Sequence, residues 1–125
     1  MGRTLRLLKY QDVIYFIKSI NGMIDEKNEA KGYVLNGKGQ VWIELVENAI
    51  DEYETEDIEK LHDALGASPK TFICLDVSRN PGSGRLAIDV AEAFSQRWHS
   101  VVDDLYENIY TSNDLHSLQR KGGEL

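Results

Sequence analysis

GYVLNGKGQVWIELVENA, residues 32–49, is the stretch on which the fold turns. Two runs rich in β-branched and aromatic residues flank Asn36-Gly37-Lys38-Gly39, residue types that tolerate the positive φ a tight turn needs. The spacing predicts a β-hairpin. Side chains alternate across a strand, so Val41, Ile43 and Leu45 share one face and Trp42, Glu44 and Val46 share the other. A glutamate between two apolar residues marks that second face as half covered, and leaves Trp42 either partly exposed or packed under a helix.

Working outward, TLRLLKY (4–10) reads as a first strand, and Asp12 reads as the cap of a helix with Val13, Phe16, Ile17, Ile20 and Met23 on one stripe. DEKNEA (25–30) has no periodicity and reads as a loop or frayed turn. After the hairpin, Thr55 with Ile58, Leu61 and Leu65 predicts a helix over about 56–65, stopped by Gly66. KTFICLDV (70–77) is nearly continuous in apolar residues, the pattern of a central strand covered on both faces. GRLAIDVAEAFSQRW (84–98) is a helix with stripes through Leu86, Val90, Phe94 and through Ala87, Ala91, Trp98. HSVVDD and YENIYT read as further strands, Ser112 with Leu115 and Leu118 as a last helix, and 120–125 as a loose tail. The unit 70–103 reads as strand, helix and parallel strand with a right-handed crossover. The expectation is one α/β (α+β) domain over 1–125: a single mixed β-sheet of about five or six strands with three main helices packed on it.

Composition narrows the function. No apolar run is long enough to span a membrane, and the first residues carry no signal-peptide pattern. Cys74 is the only cysteine, so no internal disulfide forms, and the reading is a reducing, cytoplasmic setting. A net charge of −7 argues against direct binding of nucleic acid, which needs clustered Lys and Arg. The charge is uneven: Glu44, Glu47, Asp51, Glu52, Glu54, Glu56, Asp57, Glu59 and Asp63 face a single base, Lys60, between 44 and 63. Such a run is either a solvated face or a surface complementary to a basic partner, whose approach it would accelerate.

The most motif-like segment is VSRNPGSGRLAIDVAEAF (77–94), a strand, a glycine loop and a helix. A phosphate cradle aims backbone amides at an anion from a helix N-terminus. The P-loop spacing is absent; Gly82-x-Gly84-x-x-Ala87 satisfies the dinucleotide pattern only formally, and about half the chain precedes it. A turn with Ser83 as helix cap accounts for the same residues. Metal ligation finds no support: His62, His99 and His116 lack partners at ligand spacing, and Asp103 and Asp104, adjacent in a strand, point to opposite faces. Cys74 sits in the most apolar strand, where burial raises a thiol pKa and quietens it. Asp76 is the lone acid of interest beside the loop. No cofactor and no catalytic residues are expected.

Tyr53 inside the acidic run, and Tyr106 and Tyr110 beside Asp103 and Asp104, combine ring area with steering charge. The pieces Trp98, Val101-Val102-Asp103-Asp104, Ile109-Tyr110 and Leu115/Leu118, covering roughly a third of the chain, resemble the end of small bacterial immunity proteins of polymorphic-toxin and contact-dependent growth inhibition systems. The resemblance implies an acidic cytoplasmic inhibitor that binds a cognate toxin, such as a nuclease with a basic cleft, and that needs no catalytic residues. The expected contact residues are Trp42, Glu44, Glu47, Asp51, Glu52, Tyr53, Glu54, Glu56 and Asp57, with Asp103, Asp104 and Tyr106 as a second surface. The alternative is a small-molecule or nucleotide-binding α/β domain, in one form an enzyme, using the 79–85 loop and Asp76.

Overall fold

The structure, a computed structural model, describes residues 8–28, 30–47, 49–104 and 108–125. The hairpin is its centre. Strands β2 (Lys31–Asn36) and β3 (Gly39–Val46) pair antiparallel from Lys31 opposite Glu44 to Asn36 opposite Gly39. Two residues close the turn, and only the first, Gly37, has positive φ (59°), the arrangement of a type II′ turn. A short strand β1 (Met23–Ile24) joins β2, and β4 (Phe72–Val77) joins β3, giving an antiparallel sheet in the order β1-β2-β3-β4.

Helix α1 (Tyr10–Ser19) and helix α3 (Ser83–Arg97) pack on one face of this sheet. Val13, Phe16 and Ile17 from α1 meet Val34, Val41 and Ile43 from the sheet and Leu86, Ala87 and Val90 from α3. Ala87 is fully buried, its small side chain letting α3 sit close to the sheet. Phe16 contacts Phe94 edge-on at 5.3 Å and Trp98 at 6.0 Å, tying the two helices through their rings. Helix α2 (Thr55–Leu65), preceded by a 3₁₀ turn (Ala49–Glu52), buries Leu61 and ends at Gly66 with φ 77°. Beyond α3, β5 (Val102–Asp103) and β6 (Ile109–Tyr110) form a separate two-stranded sheet, and α4 (Ser112–Arg120) packs on α3.

The α+β class, the strand number and the helices agree with the sequence reading; the pairing is more segregated. Both sheets are antiparallel: β5 pairs with β6 and not with β4, so the parallel crossover unit over 70–103 does not form. Nor is β4 a central strand. It is the last strand of the described sheet, with Cys74 and Asp76 exposed, and its apolar run reflects Ile73, Leu75 and Val77 on the covered face plus Phe72 on the other. The first-strand reading falls largely outside the described residues; within them, Tyr10 already belongs to α1. Asp12 stands three residues inside that helix and accepts the Lys9 amide at 2.9 Å. Helix α1 stops at Ser19, where Asn21 turns to φ 62°, so Met23 leaves the helical stripe for β1.

The C-terminal tail is docked, contrary to its reading as loose. Gly123 N–H donates to Leu118 C=O at 2.8 Å, Leu125 N–H donates to Gly84 C=O at 3.2 Å, and Leu125 packs against the core.

Candidate functional site

With α1 and α3 on the Val41/Ile43 face, strand alternation turns a defined set of side chains to the other side. The register orders them into rows. Met23, Tyr33, Trp42 and Asp76 stand opposite one another across all four strands. Lys31, Glu44 and Cys74 form the next row, and Val46 faces Phe72 beyond it. Met23 and Leu35 on this face are 58% and 59% exposed, and Cys74 and Asp76 are also exposed, whereas Tyr33, Trp42 and Glu44 are half-buried among their neighbours. Trp42 therefore lies on the open face and does not pack under a helix.

Trp42 is the hub of that face. Its ring lies 4.7 Å from Tyr33, and the Lys31 ammonium stands over it at 5.0 Å. Lys31 also reaches Glu44 at 4.0 Å. That ion pair is long, and its side chains are 36% and 41% exposed, so it contributes little to stability.

At one end of the face Tyr53 stacks on Phe72, with ring centroids 5.3 Å apart. Burial pushes the Tyr53 phenol up, and the carboxylates of Asp103 and Asp57, the Cys74 thiol and Glu52 push it further the same way. The Cys74 thiol is likewise raised, first by partial burial, then by Asp76 and Glu44, with Lys31 opposing. The Tyr53 phenol and the Cys74 thiol, each raised first by burial, are both pushed further up by carboxylates near this side of the sheet. The upward direction of the Cys74 thiol agrees with the sequence reading, but the residue is exposed and not enclosed in a covered strand, and neighbouring carboxylates add to partial burial in raising it.

The sequence-derived contact residues divide accordingly. Trp42 and Glu44 lie on the open face. Tyr53 lies within the electrostatic reach of Asp57 and Glu52 from the acidic run and of Asp103 from β5. Glu47, Asp51, Glu52, Glu54, Glu56 and Asp57 are exposed along the 3₁₀ turn and the start of α2. Glu56 and Asp57 lie in the first turn of α2, where they also favour the helix dipole. Asp104 is committed to the β5–β6 turn: it accepts from Asn108 N–H at 3.1 Å, from the Asn108 amide nitrogen at 2.8 Å and from the Tyr110 hydroxyl at 3.4 Å. Burial and this carboxylate together raise the Tyr110 phenol. Tyr106 lies outside the described residues. Asp76, read from sequence only beside the 79–85 loop, stands directly opposite Trp42. Tyr33 and Lys31 carry no site reading from sequence, and Met23 reads there as part of the first helix's stripe and not of this face; the alternation that puts Trp42 with Glu44 marks Tyr33 as their counterpart once the hairpin register is drawn.

The 79–85 loop is organised by packing. Ser83 is not a side-chain cap. It is fully buried, and its Oγ accepts the Gln40 amide at 2.9 Å, fastening α3 to the start of β3. Gly82 adopts φ 86°, a conformation that favours glycine. A Cβ on Gly84 would stand 2.9 Å from the Leu125 carbonyl oxygen, so this glycine admits the C-terminal tail. Among the described residues no group of three or more His, Cys, Asp or Glu side chains is placed to hold a metal ion. No described helix is long and apolar enough to cross a membrane.

These features define a two-layer α+β domain with one helix-covered and one open, aromatic and acid-flanked sheet face. Compared with known proteins, the chain matches no family model, no curated protein and no solved structure.

Proposed function

We propose that this is a non-enzymatic binding protein that engages a basic protein partner through the open sheet face and its acidic border. The observation that carries the reading is the convergence of Trp42, Tyr33 and the Tyr53–Phe72 pair with Glu44, Asp76, Asp57 and Asp103 on one side of the molecule. Aromatic rings supply anchor area that gives up little side-chain entropy; carboxylates around them steer a cationic surface into place and repel nucleic acid. The particular form we propose is an immunity protein, acting in the cytoplasm of a bacterium on a cognate toxin whose basic cleft the acidic face would occupy. That form rests on the resemblance of the C-terminal third.

The experiment is capture of partners from the source cell at low and high salt, with wild-type protein and with a triple charge reversal (Glu44→Lys, Glu52→Lys, Asp57→Lys). The expected result is a stoichiometric basic protein, retained at low salt, released at high salt and lost to the reversed variant. Binding to the reversed variant that equals wild type at low salt would refute the acidic-face reading.

A further inference from the structure

The row Met23-Tyr33-Trp42-Asp76 and its neighbour Lys31-Glu44-Cys74 place one ring and two carboxylates around a position already held by a cation. Trp42 has Tyr33 on one flank at 4.7 Å and Asp76 directly across the next strand pair. Glu44 is two residues further along the same strand and face, about 7 Å away. The Lys31 ammonium sits over the indole at 5.0 Å and touches Glu44 at 4.0 Å. A tryptophan face attracts a cation through its ring quadrupole, most strongly when water is excluded. The molecule thus satisfies this position with its own lysine, held by an exposed and long ion pair that is easily given up.

We infer that the Trp42 ring, flanked by Glu44 and Asp76, is the receptor for an arginine side chain of the partner, which displaces Lys31 when it binds. This rests on the binding reading above and specifies its chemistry. Three features select arginine. A planar guanidinium stacks on an indole and at the same time forks to a carboxylate, which an ammonium cannot do. Glu44 lies two residues along β3 from Trp42 and Asp76 lies across from it on β4, so a guanidinium stacked on the indole has a carboxylate near it in each of two directions. The apolar rim of Met23 and Leu35, both largely exposed, offers cover that would dry the contact as a partner closes over it. The displaced Lys31 is carried on a flexible stem and is rehydrated at the rim of the sheet, where its release costs little.

The test uses the intact protein, ¹⁵N-labelled, titrated with an acetyl-Arg-Gly-Arg-amide peptide and with its citrulline counterpart, which keeps the shape and removes the charge. The two indole N–H signals, Trp42 and Trp98, separate the open face from the core. The arginine peptide should shift the Trp42 indole and the Tyr33 and Asp76 amides saturably, while Trp98 stays still and the citrulline peptide does nothing. Lys31→Met should tighten binding at least threefold by removing the internal competitor. Trp42→Leu should weaken it tenfold or more, with the spectrum otherwise that of a folded protein. Shifts confined to the acidic turn and α2, with Trp42 unmoved, would overturn the arginine receptor and leave the acidic-face reading standing. Unchanged or weaker binding in Lys31→Met would overturn the displacement. No shift anywhere, together with no partner in the capture experiment, would remove both.

Discussion

Ser83 shows how much one hydroxyl decides. A serine between two glycines, ahead of a helix, invites a capping or phosphate-binding role. In the folded protein its oxygen instead takes the Gln40 amide, with no exposure to solvent. Ser83→Ala leaves that amide without its partner and should destabilise the protein by about 1–3 kcal/mol, read from urea unfolding. A change below about 0.3 kcal/mol would mean that the amide finds water or another acceptor. The two tryptophans make the same point about identity and place. Trp98 packs on Phe16 and Phe94 and serves the core, whereas Trp42 stands on the open face among charges. Residue type alone does not distinguish them, though the alternation around Trp42 narrows its position to the half-covered side of its strand.

Among the elements, the hairpin and α1 meet at Gly32. A Cβ there would stand 2.5 Å from the Met23 carbonyl oxygen and 2.9 Å from Ile17 Cδ1, so β1, β2 and α1 approach as closely as they do because this side chain is absent. Gly32→Ala must push the helix or the edge strand outward and should destabilise by roughly 1–3 kcal/mol, measured by chemical denaturation, with the loss concentrated in β1 amide protection. Unchanged stability would show that the β1 edge yields freely. The end of α2 was legible and helix starts were not: Gly66 terminates α2 as its position suggested, but Thr55 lies inside that helix after an N-cap at Glu54 with no side-chain cap bond, and α4 is capped by Thr111, whose hydroxyl accepts the Asp114 amide at 3.3 Å. The β4 strand was misread as central because an apolar run is the same string whether a helix covers its second face or a single tyrosine does. Here Tyr53 covers Phe72, and Cys74 and Asp76 remain exposed.

At the scale of the whole molecule, burial and the surrounding carboxylates together have a consequence for stability. Tyr53, Tyr110 and Cys74 are all raised above their ordinary values of 10.0 for a phenol and 9.0 for a thiol. The folded protein therefore keeps protons that the unfolded chain has already lost. Stability from these groups is complete below pH 9 and falls as pH rises through 9 and then beyond 10. Unfolding free energies at neutral pH, at pH 9.5 and above pH 10.5 should decline in that order. The decline should be smaller in an Asp103→Asn, Asp104→Asn double variant, whose tyrosines ionise closer to the ordinary phenol pKa when followed by absorbance near 295 nm. A flat profile would mean that neither burial nor the carboxylates hold these protons in the folded protein.

The sequence by itself determined the local elements and the charge. Alternation and the Asn36–Gly39 segment specify a hairpin, 3.6-residue stripes specify three of the helices, and the run from Glu44 to Asp63 is acidic whatever the fold. These depend on interactions within a few residues, where period and turn chemistry suffice. Tertiary structure alone decided that β5 pairs with β6, that the tail returns to Gly84, and that Asp57 and Asp103, far apart in sequence, both act on Tyr53. It alone also decided which face of the sheet stays open. A period of two says which residues share a face; it carries no information about where distant helices settle. That choice is made by Val41, Ile43 and Leu86 burying one another, and it leaves Trp42 and Asp76 facing outward together.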